Sequence, residues 1–223
     1  MSFAGFTPQA LKFFHDLDRN NDRQWFAEHR EKYVQYVVEP MKRLVTDLTP
    51  MMLELDPKIV TDPNRAISRI YRDTRFAHDK TPYWPYLWAA FRHDSKAWFH
   101  APTYFFSLEA THYSFGMNIY APSAATMRRF RDKIDDDPQA FLRVIEPIRK
   151  NKRFHLKEAR YKRRLPCEHG PVIEPWYQSK EIAVLTDREP DKTLYSKKLV
   201  DLLMDQYVLL KPLYDFLWSI TVT

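Results

Sequence analysis

Between Arg69 and Tyr83 the chain reads RIYRDTRFAHDKTPY, setting Arg69, Arg72, Arg75 and Lys80 against Asp73 and Asp79 with Tyr71, Phe76 and Tyr83 interleaved. Guanidinium groups grip a phosphate or carboxylate through two parallel hydrogen bonds, an ammonium adds a point charge, and a phenol hydrogen-bonds or stacks. The segment is thus equipped to be an anion pocket for a phosphorylated or carboxylated small molecule, with Arg69, Arg72, Arg75, Lys80 and Tyr83 as ligand-binding residues. Asp73 and Asp79 would orient the cations, or act as general bases if a pKa is moved. The same residues suit a second reading, an internal ionic network that pairs with itself and fixes the fold, with function in a partner surface. Four cations on two carboxylates leave a surplus, which Glu109 and Glu181 could match if the network is closed.

A second concentration of charge runs from Arg149 to Arg164. Nine Arg or Lys stand there against Glu158, a local charge of +8 that leaves −2 for the remainder of a chain whose formal charge is +6. The basicity belongs to this segment and not to the whole surface. It could follow a nucleic-acid backbone without regard to sequence, with Phe154 and Tyr161 stacking on bases. Its other reading is a solvated loop and helix end that neutralises the acidic remainder. Lys162 and Arg163 join the candidate ligand-binding set if they lean over the Arg69 motif.

Other chemistries find little support. The three glycines, Gly5, Gly116 and Gly170, lie far apart, whereas a Walker loop or a G-x-G-x-x-G turn needs several together to bring backbone N–H groups to phosphates. No nucleotide cofactor is expected, and any phosphate contact falls to side chains. The eight histidines form no ligand-spaced pair, so no metal site is expected; Asp73, Asp79 and Glu109 would hold Mg2+ only if the fold gathered them. Cys167 and His169 are too close in an extended chain to act as nucleophile and base. His78 beside Asp79 has the chemistry of a proton shuttle, and equally that of an exposed loop residue.

The remaining composition bounds where such a site sits. A chain of 223 residues without a Gly/Ser linker, low-complexity run or repeat reads as one domain, 1–223, able to bury roughly 70 to 75% of its unfolded surface. One cysteine, no charged-then-apolar leader and no apolar run near twenty residues argue for a soluble cytoplasmic protein with no membrane partner.

Local signals then place the elements. Thr7-Pro8 opens a helix that Asn20-Asn21 stops, and Asn21, with Gln24 at the capping-box position, opens a longer one carrying Trp25/Phe26, Tyr33, Met41, Leu44 and Leu48, kinked or split by Pro40. The periodicity makes Trp25 and Phe26 core residues. Ile67 to Phe76 reads as a strand with Arg69, Tyr71, Asp73 and Arg75 on one face. The apolar run 84–91 suits a central strand covered on both sides. Residues 104–110 and 113–120 form a hairpin, with Gly116 as a bulge or close approach. Ser123 and Asp137 start two helices, 182–185 is a short last strand, and Ser196 opens a terminal helix broken or kinked at Pro212. The class is α+β, a mainly antiparallel sheet with N-terminal, middle and C-terminal helices packed against it.

The motif Arg69-x-x-Arg72-Asp73-x-Arg75-Phe76-x-x-Asp79-Lys80-x-x-Tyr83 resembles the signature of the domain-of-unknown-function 2461 family, a bacterial group. The opening pattern at Phe14, Leu17, Asn20, Asn21, Trp25 and Phe26 is similar to that family's N-terminus, as is the Tyr161-Lys162-Arg163 step. The resemblance covers essentially the whole chain. It implies one domain and a motif that works as a unit, and brings no activity, cofactor or partner with it.

Overall fold

Pro8 occupies the first turn of α1 (Pro8–Arg19), where its missing N–H costs nothing, and Thr7 precedes it in extended conformation. The computed structural model describes residues 2–75 and 78–221; Phe76, and with it the end of the expected strand, lies outside them. After Asn20 closes α1, α2 (Arg23–Tyr33) is capped by Asp22 and not by Asn21: the Asp22 carboxylate accepts from the Trp25 N–H at 2.9 Å.

Pro40 neither breaks nor splits the helical run that α2 begins. A π-helical stretch, Val34–Val38, joins α2 to α3 (Glu39–Leu55), and the Glu39 N–H reaches back to the Val34 carbonyl. Proline has no N–H to give the carbonyl four residues earlier and its ring crowds that oxygen, so the turn widens and the helix runs on. Pro212 likewise sits inside a continuous α8 (Lys198–Trp218). The carbonyl it leaves without a partner belongs to Val208, which is 53% exposed, so water can take that bond.

The fold is α+β. Strands β1 (Tyr86–Phe91), β2 (Pro102–Glu109), β3 (Tyr113–Ile119), β4 (His155–Leu156) and β5 (Ala183–Arg188) form one antiparallel sheet in the order β1-β2-β3-β5-β4. The hairpin expectation becomes β2 and β3. Expected as central, the run 84–91 instead supplies the edge strand β1; the middle of the sheet is β3, buried along nearly its whole length. Gly116 makes that position possible, because a Cβ there would lie 2.0 Å from the Val184 carbonyl oxygen. Short α4 (Pro63–Ala66) and α7 (Glu174–Tyr177), and the longer α5 (Ala124–Asp136) and α6 (Pro138–Asn151), complete the chain. Ser123 and Asp137 cap α5 and α6 through their side chains, as their types require.

By backbone proximity the residues fall into two compact units. One comprises Met1–Phe91, Phe105–Phe115 and Asp187–Met204. Its core includes Phe14, Leu17, Leu44 and Leu48, with Phe6 stacked on Phe106 at 5.8 Å. The other comprises Arg92–Tyr104, Gly116–Thr186 and Asp205–Thr223. There Tyr104 stacks on Tyr214 at 4.8 Å, and Phe130 meets Phe141 and Phe216 edge-on at 5.6 and 5.9 Å. No helix among the described residues is long and apolar enough to cross a membrane.

Candidate functional site

Residues 67–72 are extended but do not form a full strand. They run antiparallel to 82–89 through the isolated bridges Ile67 to Ala89 and Tyr71 to Tyr83. The bonds are Ser68 N–H to Trp88 carbonyl (2.8 Å), Trp84 N–H to Ile70 carbonyl (2.8 Å) and Arg72 N–H to Pro82 carbonyl (2.9 Å). Pro82 and Pro85 have no N–H to offer, which interrupts the ladder that the residue types alone suggested. The strand-like alternation survives in the side chains: Arg69, Tyr71, Asp73 and Arg75 are exposed, while Ile70 is buried and Arg72 and Thr74 are half-buried.

The ladder delivers 73–81 as a loop laced by its own ions. Asp73 takes a fork from Arg75, Nε at 3.0 Å and Nη2 at 2.7 Å, and also accepts the Arg75 backbone N–H at 3.2 Å. Those hydrogen bonds pull the Asp73 carboxyl down to about 2. Asp79 accepts from the Thr81 N–H (2.9 Å) and hydroxyl (2.8 Å) and pairs with Arg72, and the Thr81 bonds first, then Arg72, hold it below the ordinary carboxylate range. Carboxylates so stabilised are weak bases at neutral pH, and this arrangement suits them to orienting cations.

Arg72 is the best-held cation. Its guanidinium lies 3.9 Å from the centre of the Trp84 ring, its side chain is 11% exposed, and its Nε is shielded from water with no hydrogen-bond partner among the described residues. Lys80 is exposed and donates to the Thr74 carbonyl at 2.9 Å. Arg69 is exposed and forms no ion pair among the described residues. The two acids that could have closed the network are engaged elsewhere, Glu109 with His112 at 3.5 Å and Glu181 with Lys157 at 3.1 Å. Among the described residues no three acidic, His or Cys side chains gather as metal ligands, so Asp73, Asp79 and Glu109 do not form the Mg2+ set. His78 is exposed.

Tyr83 supports the loop from below: it is 5% exposed, stacked on Phe26 at 4.2 Å, and burial raises its phenol above the ordinary value. The exposed phenol of the motif is Tyr71, 62% accessible, with its ring 5.3 Å from that of Tyr83. Phe26 is core as its spacing implied, whereas Trp25 is only half-buried.

Arg69, Arg72, Asp73, Arg75, Asp79, Lys80 and Tyr83 therefore belong to the first unit, while Lys162 and Arg163 belong to the second. Both of the latter are exposed and without an ion pair among the described residues. In the same segment Lys150, Lys157 and Arg164 are paired with Glu146, Glu181 and Glu174. Phe154 is buried, which leaves Tyr161, near Arg131 at 5.3 Å, as the surface aromatic. Sequence reasoning missed Asn21, Thr81 and Trp84 as parts of the site's frame. For Thr81 and Trp84 the signal was adjacency to the motif; Asn21 is 62 residues from the Tyr83 backbone it holds, and its local pattern marks it as a helix cap and not as a partner of the motif.

The chain belongs to the family described as conserved hypothetical protein DUF2461, whose model matches residues 9–216. No curated protein matches it.

Proposed function

We propose that the segment from Arg69 to Tyr83 binds a small molecule bearing a phosphate or carboxylate group, in a protein of the cytoplasm, where a single cysteine is at home. The observation that carries this reading is unmatched positive charge. Asp73 and Asp79 satisfy Arg75 and Arg72, and Glu109 and Glu181 are engaged with His112 and Lys157, so Arg69 and the Lys80 ammonium face solvent without an acid among the described residues. Arg69 and Lys80 grip the anion, Tyr71, on the same face as Arg69, lies against whatever the anion is attached to, and Arg72, on the other face, is held by Trp84 and Asp79 and steadies the loop. Asp73 and Asp79 hold the cations in place, and acid/base chemistry is no part of the reading.

A thermal-shift series with inorganic phosphate, pyrophosphate, sugar phosphates, nucleotides and di- and tricarboxylates tests it. A ligand at a hundred times its Kd adds about 2.7 kcal/mol, or roughly 5 to 10 °C for a chain of this size. A shift that disappears in Arg69→Ala supports the site, and no shift with any of these anions overturns it. The alternative, sequence-independent nucleic-acid binding, draws on exposed Arg153, Lys162 and Arg163, which lack ion pairs among the described residues, beside exposed Tyr161. Its signature is affinity that falls steeply with salt and is lost in Lys162→Ala/Arg163→Ala.

A further inference from the structure

A cavity of about 230 Å³ opens between α1 and the α2/π-helical stretch, lined by residues the Arg69 site does not use. Trp25, His29, Lys32 and Tyr36 follow one another along a single helical face and meet Lys12 and Asp16 from α1. The indole and imidazole rings stack face to face, with centroids 4.1 Å apart and planes 10° from parallel, so they form a two-ring pile whose uncovered face can take a third ring. Phe13 backs the indole at 5.7 Å. A ring pair that served only the core would be covered on its outer side, but Trp25 and His29 are half-exposed and the cavity lies against them.

Charge and backbone add to the case. Lys32 is exposed and unpaired among the described residues, while Lys12 is paired along α1 with Asp16 at 2.6 Å. His29 Nδ1 lies 2.8 Å from the Trp25 carbonyl; a carbonyl can only accept, so that nitrogen carries the proton and Nε2 remains for another partner. Tyr36 sits in the π-helical stretch, a rare backbone form that recurs at functional sites.

We infer that this cavity binds a small planar aromatic carboxylate, its ring extending the stack of Trp25 and His29 and its carboxylate on Lys32. The cavity is below the roughly 300 Å³ at which drug-sized pockets begin, which limits the guest to one or two fused rings. A flat π-face favours an aromatic guest over a saturated one, and the unpaired Lys32 ammonium favours an anion over a neutral amide.

The probe is 2-naphthoate, titrated into the intact protein and followed through the Trp25 indole N–H resonance, assigned with Trp25→Phe. Saturable binding at a Kd on the order of 1 mM or tighter is expected. Lys32→Met should weaken it about tenfold, at a surface position where the fold is indifferent, and 2-naphthamide and cyclohexanecarboxylate should each bind about tenfold more weakly than 2-naphthoate. Arg69→Ala should leave the titration unchanged, because the two sites share no residue. No saturable response, equal affinity for the amide, or loss of binding in Arg69→Ala overturns the inference, and the last result would move the guest to the other site.

Discussion

The Asn21 side-chain amide makes both backbone hydrogen bonds of Tyr83, donating from Nδ2 to the carbonyl at 2.9 Å and accepting at Oδ1 from the N–H at 3.1 Å. An amide suits this because it presents a donor and an acceptor side by side, as a neighbouring strand would. The junction of α1 and α2 is thereby fastened to the end of the arginine motif. Asn21→Ala leaves two partly buried backbone groups without partners and should cost about 1–3 kcal/mol in urea unfolding. Asn21→Asp keeps the acceptor and loses the donor, so its midpoint should fall between wild type and Asn21→Ala.

Arg69 offers the cleanest separation of binding from folding. It is exposed and pairs with no acid among the described residues, so Arg69→Ala should change stability by no more than about 0.5 kcal/mol. Losing a charged hydrogen bond to a bound anion, worth about 1.5–3 kcal/mol, should weaken binding by one to two orders of magnitude in calorimetry. Arg69→Lys, which keeps charge and loses the fork, should recover only part of it.

The Asp73 carboxyl is held at about 2 by its bonds from Arg75. A carboxyl with a depressed folded-state value lends stability above its unfolded value, near 4, and that contribution disappears as pH falls from about 4 towards 2. Because the pair is fully exposed, salt and water keep the contribution small, and direct titration is the better measurement. Carboxyl-carbon NMR should place the Asp73 midpoint near 2 in the wild type and raise it only part of the way to the ordinary aspartate range in Arg75→Ala, because the backbone N–H at position 75 remains.

Much of the frame was legible because it depends on neighbours in sequence. Ser123 and Asp137 cap because a hydroxyl or carboxylate ahead of a helix has free N–H groups in reach, and the β2/β3 hairpin follows from two β-rich runs across Thr111-His112. The alternating exposure of Arg69 to Arg75 was readable too. What escaped were choices made by distant partners. Asn21 and Asp22 are both good caps, and only the Tyr83 backbone decides that Asp22 takes the helix. Pro40 announces a disturbance without saying that a π turn absorbs it. The run 84–91 carries enough apolar surface for a central strand, yet Pro82 and Pro85 limit its pairing and it lies at the edge. For the candidate site, residue types revealed the surplus charge, while the engagement of Glu109 and Glu181 with His112 and Lys157 depends on tertiary placement.

Gly116 and Gly170 form a matched pair for testing close approach. A Cβ at Gly116 would meet the Val184 backbone at 2.0 Å, whereas one at Gly170 would meet nothing within 4 Å. Gly116→Ala must therefore push two strands apart, and a loss of about 3 kcal/mol or more, or failure to fold, is expected in denaturation. Gly170→Ala should be neutral or raise the midpoint slightly by restricting the unfolded chain.

The pairing of 67–72 along 82–89 also bears on how this molecule behaves in a crowd. Rows of vacant N–H and C=O groups invite strands from other copies, and each outer strand here is guarded: β1 by the proline-interrupted ribbon leading into the arginine loop, β4 by being two residues long. The ribbon thus serves as a fender as well as a mount, and lesions that unseat it would expose β1 to self-association.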